Sequence, residues 1–307
     1  MSFLRNLYSF FRLGRPLFLI GGVVFHALGV SAALYQGFPL NWAALIWGQV
    51  AITATQLMTH YSNDYFDLPA DRANTSATRW SGGSRVLPEG LLPAWAALAG
   101  ALVFAAIALS AIVVLGVFVQ PSPWTFFLPL LALLLAWEYS APPLRLHSRG
   151  VGELTVALIV PVLTPLVGYT FQVGSPGWLP LLAAFPLACF QFCMIISVNF
   201  PDAAGDRQVD KHTLVVRLGP AGAARLYLGC LGLAYIALPV LVLLGLPPLV
   251  ALAVLLPLPV VVWQANRMRR GAWANPAAWN SLAFWSIGLL MLSGGLEVLA
   301  FLWLVGA

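Results

Sequence analysis

The stretch Asn63-Asp64-Tyr65-Phe66-Asp67-Leu68-Pro69-Ala70-Asp71 directly follows an apolar run, Trp42–Tyr61, that is long enough to cross a membrane. A second stretch, Asn199-Phe200-Pro201-Asp202-Ala203-Ala204-Gly205-Asp206-Arg207-Gln208-Val209-Asp210, follows another such run. The 307-residue chain has only ten acidic side chains, and six of them (Asp64, Asp67, Asp71, Asp202, Asp206, Asp210) fall in these two stretches. Carboxylates at a membrane boundary are costly to desolvate and usually have a task. Two clusters able to face each other suggest divalent metals holding a polyphosphate.

The rest of the chain sets the class. Apolar residues make up 61% of it and charged residues 8%, against about 25% charged in a soluble domain. Such a chain cannot cover a water-facing surface, so it reads as an integral membrane protein. The net charge of +5 does not indicate nucleic-acid binding, because the basic residues are spread over short loops rather than gathered in one stripe. Cys189, Cys193 and Cys230 all lie in apolar runs, where free cysteine behaves as a small hydrophobe. Cys189 and Cys193 lack a nearby histidine or third thiol for a metal site, and no disulfide framework is implied. Arg5, Arg12 and Arg15 before the run at Pro16 imitate a signal peptide. The length of that run favours an uncleaved first span.

Runs of about 20 apolar residues predict transmembrane helices. Nine are read: Pro16–Tyr35, Trp42–Tyr61, Pro93–Val117, Trp124–Tyr139, Leu154–Phe171, Trp178–Val198, Ala221–Leu244, Leu249–Trp263 and Trp279–Val305. All Lys and Arg residues fall before span one or in the stretches around the loops after spans two, four, six and eight, Arg225 standing at the start of span seven. By the positive-inside rule the N-terminus is cytoplasmic and the C-terminus outside. Asn63, Asp67 and Asp71 repeat the spacing of Asp202, Asp206 and Asp210. The predicted fold is therefore all-α: one domain over 1–307, with pseudo-repeats at 16–140 and 152–264 and a ninth helix at 279–305. Duplications of this kind place a site between the halves.

On a helix, side chains at i, i+4 share a face, so Asp67 with Asp71, and Asp202 with Asp206 and Asp210, would line one side each. Stacked carboxylates repel unless a cation shares them, and hard oxygen ligands favour Mg²⁺. As solvated acids they would instead pair with Arg72 and Arg207. Arg72, Arg145, Arg149, Arg207 and Lys211 share the same predicted membrane side and could neutralise a diphosphate. Arg15, beside Pro16 at the mouth of span one, is a better binding candidate than Arg5 or Arg12. The stretch Ser81-Gly82-Gly83-Ser84-Arg85 can expose backbone N–H groups to an anion. His60, His147 and His212 read as structural histidines, and Glu138 reads as a ligand for an acceptor hydroxyl or a partner for arginine. Glu297, inside span nine, is a lone acid with no functional account.

At these residues the chain resembles the UbiA superfamily of intramembrane aromatic prenyltransferases. Asn63 to Asp71 is similar to its first signature, and Asp202 to Asp206 followed by Lys211-His212-Thr213 to its second. Tyr139-Ser140-Ala141-Pro142-Pro143-Leu144-Arg145 and Gly82-Gly83-Ser84-Arg85-Val86-Leu87 are similar to segments of the menaquinone branch. The resemblance implies Mg²⁺ as cofactor, a polyprenyl diphosphate donor and an aromatic acceptor, 1,4-dihydroxy-2-naphthoate in that branch. It also implies a multi-pass protein of a bacterial-type cytoplasmic membrane, in contact with membrane lipid, with its site facing the cytoplasm. Carried over residue by residue, it gives Asn63, Asp67, Asp71, Asp202 and Asp206 as metal ligands. Arg15, Arg72, Arg145 and Lys211 would contact diphosphate, and Tyr139 and Ser140 would sit near the reacting carbon. Two positions depart: Asp210 stands where the branch has Gly, and Pro201 where it often has Arg. Pro201 would break the helix before Asp202 or put Asp202 in a first turn. The acceptor is open among dihydroxynaphthoate, 4-hydroxybenzoate, homogentisate and a chlorophyllide. A reading of another class is a secondary transporter, but its acids belong near the bilayer midplane.

Overall fold

The computed structural model describes residues 2–307, with side chains from Leu4 onward, and among them no β-strand forms. Helix α1 (Ser2–Leu13) ends at a sharp turn in which Arg15 takes a left-handed backbone (φ 45°) ahead of Pro16. Helices α2 (Leu19–Tyr35) and α3 (Trp42–Phe66) follow. Asp67 then links α3 to the short α4 (Leu68–Ala73), which tolerates Pro69 in its first turn because that amide has no helical partner to lose. Helices α5 (Ala94–Val114) and α6 (Pro123–Glu138) complete the first half. The second half comprises α7 (Gly152–Leu158) and α8 (Thr164–Val173), joined by a π-type turn at Ile159–Leu163, then α9 (Leu179–Gln208), α10 (Leu214–Ile236), α11 (Leu238–Leu243), α12 (Pro248–Leu255) and α13 (Leu258–Arg269). The last helix, α14 (Pro276–Gly306), packs on α2 and on α9 and so joins the halves.

The outer surface is apolar. Ile46, Trp95, Phe118, Ile236, Leu243 and Trp303 all point outward, far beyond what a protein in water tolerates. Six helical segments are long and apolar enough to cross a membrane, or seven counting the α12–α13 pair, which bends by 44°. The chain is a multi-pass membrane protein. The bend falls at Pro257, inside the eighth run read from sequence. Helix α6 has only 16 residues, and α3 carries Gln49, Thr53, Gln56, Thr59 and His60 along its length, so neither belongs to the apolar set.

Small residues let the helices touch. A Cβ at Gly29 on α2 would run into the Pro165 carbonyl oxygen, and one at Gly205 on α9 would come within 2.9 Å of the Asn74 backbone. The second contact docks the segment after α4 onto α9. Pro201 does not break α9, which continues to Gln208. A proline inside a long helix costs one backbone hydrogen bond and is accommodated by bending, and the Pro201 carbonyl accepts the Ser76 hydroxyl at 2.8 Å.

Candidate active site

One cavity of about 300 Å³ opens between the two halves. Its polar end is lined by Arg15, Asn63, Asp67, Asp71, Tyr139, His147, Asp202 and Lys211. Its walls are mostly small or aliphatic: Gly21, Gly22, Ala51, Ile52, Ala132, Ala136, Ile159 and Val160 among them. The π-type turn after α7 puts Ile159 and Val160 on this wall, and such turns recur at functional sites.

The first motif is assembled by its neighbours. Asn63 donates to Ser140 Oγ at 2.9 Å and accepts from Arg15 at 3.3 Å. Buried Ser140 thus orients Asn63 and does not itself line the cavity. Asp64 is paired with Arg15 and with the Ser84 hydroxyl, and takes the Ser84 N–H as well. It anchors Arg15 at the cavity mouth and lies outside the lining.

Asp67 and Asp206 are bridged by one ammonium. Lys211 Nζ lies 2.6 Å from Asp67 Oδ2 and 3.2 Å from Asp206 Oδ1. His147 Nε2 sits 3.2 Å from Asp67 Oδ1, while its Nδ1 meets the Tyr139 carbonyl at 2.7 Å. Burial would raise the Asp67 carboxyl, but Lys211 and His147 outweigh it and hold the group well below the usual carboxylate range. Asp71 has no such cation. Burial, then the charges of Asp67 and Asp64, pushes it up to about 8. Burial works against the Lys211 charge, yet Asp67 and Asp206 raise its ammonium above the usual value.

Asp202 is held from the other side. Asn74 donates to its Oδ1 at 2.7 Å and the Gly82 N–H to its Oδ2 at 3.2 Å. The Ser81–Arg85 stretch therefore turns its N–H groups toward anions, here the protein's own Asp202 and Asp64. Its left-handed Gly82 and Gly83 allow this, and a Cβ at Gly83 would collide with the Asp71 carboxylate.

Other expected residues lie elsewhere. Arg72 and Arg145 are exposed and outside the cavity lining. Asp210, two residues past α9, takes a left-handed backbone (φ 57°), the conformation that favours glycine, and its side chain is 92% exposed beside His212. Glu138 accepts the Leu144 N–H at 3.0 Å and so braces the turn after α6. Glu153 accepts from Asn199 and from the Leu214 N–H, tying α7, α9 and α10 together. His147 was missed as a site residue, because its partner Asp67 is 80 positions away and no local pattern signals it.

Among the described residues, no three His, Cys, Asp or Glu side chains converge into a ready metal cage. The donor set still fits Mg²⁺. Four carboxylates and one amide oxygen are the hard ligands this ion takes, and Asp206 Oδ2 is buried with no partner among the described residues. An orphaned carboxylate oxygen beside a shared ammonium is suited to receive a further cation.

The UbiA prenyltransferase family matches residues 23–288. The chain is 28% identical to the 1,4-dihydroxy-2-naphthoate octaprenyltransferase of Mycobacterium tuberculosis, over 75% of this chain and 76% of that protein. It is 29% identical to the bacteriochlorophyll synthase 33 kDa chain of Cereibacter sphaeroides, over 71% and 68%. The solved structure of a UbiA homolog from Archaeoglobus fulgidus superposes with a TM-score of 0.68 at 17% identity, covering 97% of this chain and all of that one. A structure of a UbiA homolog from the same organism bound to GPP and Mg²⁺ gives 0.65 at 16% identity, over 94% and 99%. The family match spans most of the chain and the fold agrees with it: this chain is a prenyltransferase belonging to the UbiA prenyltransferase family.

Proposed function

We propose that the chain transfers a polyprenyl group from polyprenyl diphosphate to an aromatic acceptor, 1,4-dihydroxy-2-naphthoate, in menaquinone synthesis. The observation that carries this is that Asp67 and Asp202, one from each half of the chain, both line the polar end of a single apolar-walled cavity, where Lys211 also joins Asp67 to Asp206. Asn63, Asp67, Asp71, Asp202 and Asp206 would hold Mg²⁺. When bound, that ion supplies positive charge to the diphosphate. Arg15 and Lys211 add theirs as the allylic C–O bond breaks and its electron pair leaves with the diphosphate. The aliphatic walls keep water from the cation, and Tyr139 sits at the boundary between polar end and walls. The ring carbon forms the new C–C bond, and the carboxylate departs as CO₂, its bond electrons restoring the ring.

In this reading nine helices span a bacterial-type cytoplasmic membrane as two pseudo-repeats plus α14, the whole chain being one domain. The N-terminus and the site face the cytoplasm. Similarity to the naphthoate octaprenyltransferase supports the acceptor, and similarity to the bacteriochlorophyll synthase favours a chlorophyllide as second candidate. The test is turnover by the purified protein with polyprenyl diphosphate, Mg²⁺ and both acceptors, reading diphosphate release and product mass. A naphthoate product lighter by one carboxyl group is expected. Product from the chlorophyllide alone would move the acceptor, and no transfer to any aromatic ring would overturn the reading. Asp67→Ala and Asp206→Ala should each abolish turnover while the folded protein still reaches the membrane.

A further inference from the structure

Helix α1 has two faces of opposite character. Ser9 and Leu13 are buried, and half-buried Phe10 packs edge-on against Tyr61 at 4.9 Å between ring centroids. Leu4, Leu7, Tyr8 and Phe11, at i, i+3, i+4 and i+7, form a stripe that is 55–71% exposed. Arg5 and Arg12 lie together along one edge of it on the helix circumference. Nothing among the described residues covers this stripe.

The helix crosses the ends of α3 and α5 rather than continuing α2, because Arg15 turns the chain in a left-handed conformation. Trp95, in the first turn of α5, is exposed at that end as well, a level that suits an aromatic belt. An amphipathic helix with leucine and aromatic residues on one face and arginine beside them is built to lie in a lipid interface. The arginines select an anionic surface.

The buried face of α1 leads straight to the site. Tyr61 Oη donates to the Phe10 carbonyl at 2.6 Å, and His60 Nδ1 meets the Gly14 carbonyl at 2.7 Å. Arg12 donates to the Ser84 carbonyl at 3.3 Å, and Arg15, two residues beyond the helix, pairs with Asp64. We propose that α1 docks on an anionic lipid surface through Leu4, Leu7, Tyr8, Phe11 and Arg5, and that this docking holds Arg15 over the first acidic motif.

The full chain would be placed in lipid nanodiscs, zwitterionic or containing anionic phosphatidylglycerol, with a fluorescent amino acid at Tyr8. Expected is quenching by nitroxide lipids labelled near the headgroup, shielding from aqueous iodide, and a larger docked fraction with the anionic lipid. Arg5→Gln, at an exposed position outside the site, should lower the ratio of docked to undocked protein about fivefold in anionic discs, from the ~1 kcal/mol that one basic residue contributes at such a surface. Leu7→Ser/Phe11→Ser should do so in both lipids. Mg²⁺-dependent binding of inorganic diphosphate should weaken in parallel. Free access of iodide in every lipid would overturn the docking. Shielding without lipid quenching, in discs holding two copies, would mean a second copy covers the face and would overturn it too. Undocking with unchanged diphosphate binding would overturn the coupling to Arg15. The fluorescence result does not depend on which acceptor is used or on whether transfer occurs.

Discussion

Lys211 is the residue on which the two motifs balance. Its ammonium is shared by Asp67 and Asp206, and the side chain is only 13% exposed. Removing one partner from a buried ionic group leaves the other charges uncompensated, at a cost of about 3 kcal/mol. Lys211→Met keeps the stem and removes the charge. The metal-free variant should unfold at a lower temperature than the unaltered protein. Mg²⁺ should then raise its unfolding temperature more than it raises that of the parent, because the ion replaces the missing positive charge. Thermal unfolding in detergent with and without Mg²⁺ measures both, and an equal Mg²⁺ effect in the two proteins would count against a shared charge balance. No local pattern signals this pairing: Asp67 and Lys211 are 144 positions apart, and only the resemblance of their two stretches to the family's signatures linked them. Spacing does reveal the two matching acidic sets, Asn63, Asp67 and Asp71 with Asp202, Asp206 and Asp210. It does not separate Arg15, which reaches the site, from Arg72 and Arg145, which do not, because that difference depends on loop paths and not on residue type.

At the level of helices, contact is governed by where a side chain is absent. Gly29 sits against the Pro165 carbonyl, so α2 and α8 meet backbone to backbone, as membrane helices do at small residues. Gly29→Ala must push α8 away and should destabilise the protein by about 1–3 kcal/mol. Gly288→Ala and Gly295→Ala on α14 face open space and should be neutral, or stabilising by up to about 1 kcal/mol, since alanine is the better helix former. Detergent unfolding of the three variants checks the contrast, and equal stability for all three would refute the close contact. Apolar run length located most of these helices, because burial in lipid demands it. Pro201 shows the limit of such reading. Proline reads locally as a helix stop, yet α9 continues to Gln208 because packing against the segment after α4, through Gly205 and Ser76, holds it. The same blindness applies to α3, whose Thr55, Gln56, Thr59 and His60 line a cavity that no single run of sequence reveals.

At the scale of the whole molecule, the cavity is a product of both halves, and its depth follows from which residues of α6 line it. Tyr139 stands at the polar end, and Ala136, Ala132 and Pro129 follow along the wall. Pro129 is ten positions before Tyr139, which at about 1.5 Å per residue makes the wall about 15 Å deep. Small side chains, Gly21, Gly22 and Ala51, keep that depth open on the first half, and aliphatic Val160 and Ile195 line it on the second. If the donor's isoprene tail lies along this wall, the width at Ala132 limits its length. Ala132→Trp should leave transfer from a two-isoprene donor near the parent rate. It should lower kcat/KM for donors several units longer by tenfold or more, since about 1.4 kcal/mol of lost contact or added strain is enough for that factor. A competition assay with two donors of different length reads the ratio directly. Loss of both donors equally would mean that the substitution disturbs the polar end instead, and an unchanged ratio would mean that the tail leaves the cavity before it reaches α6 at Ala132.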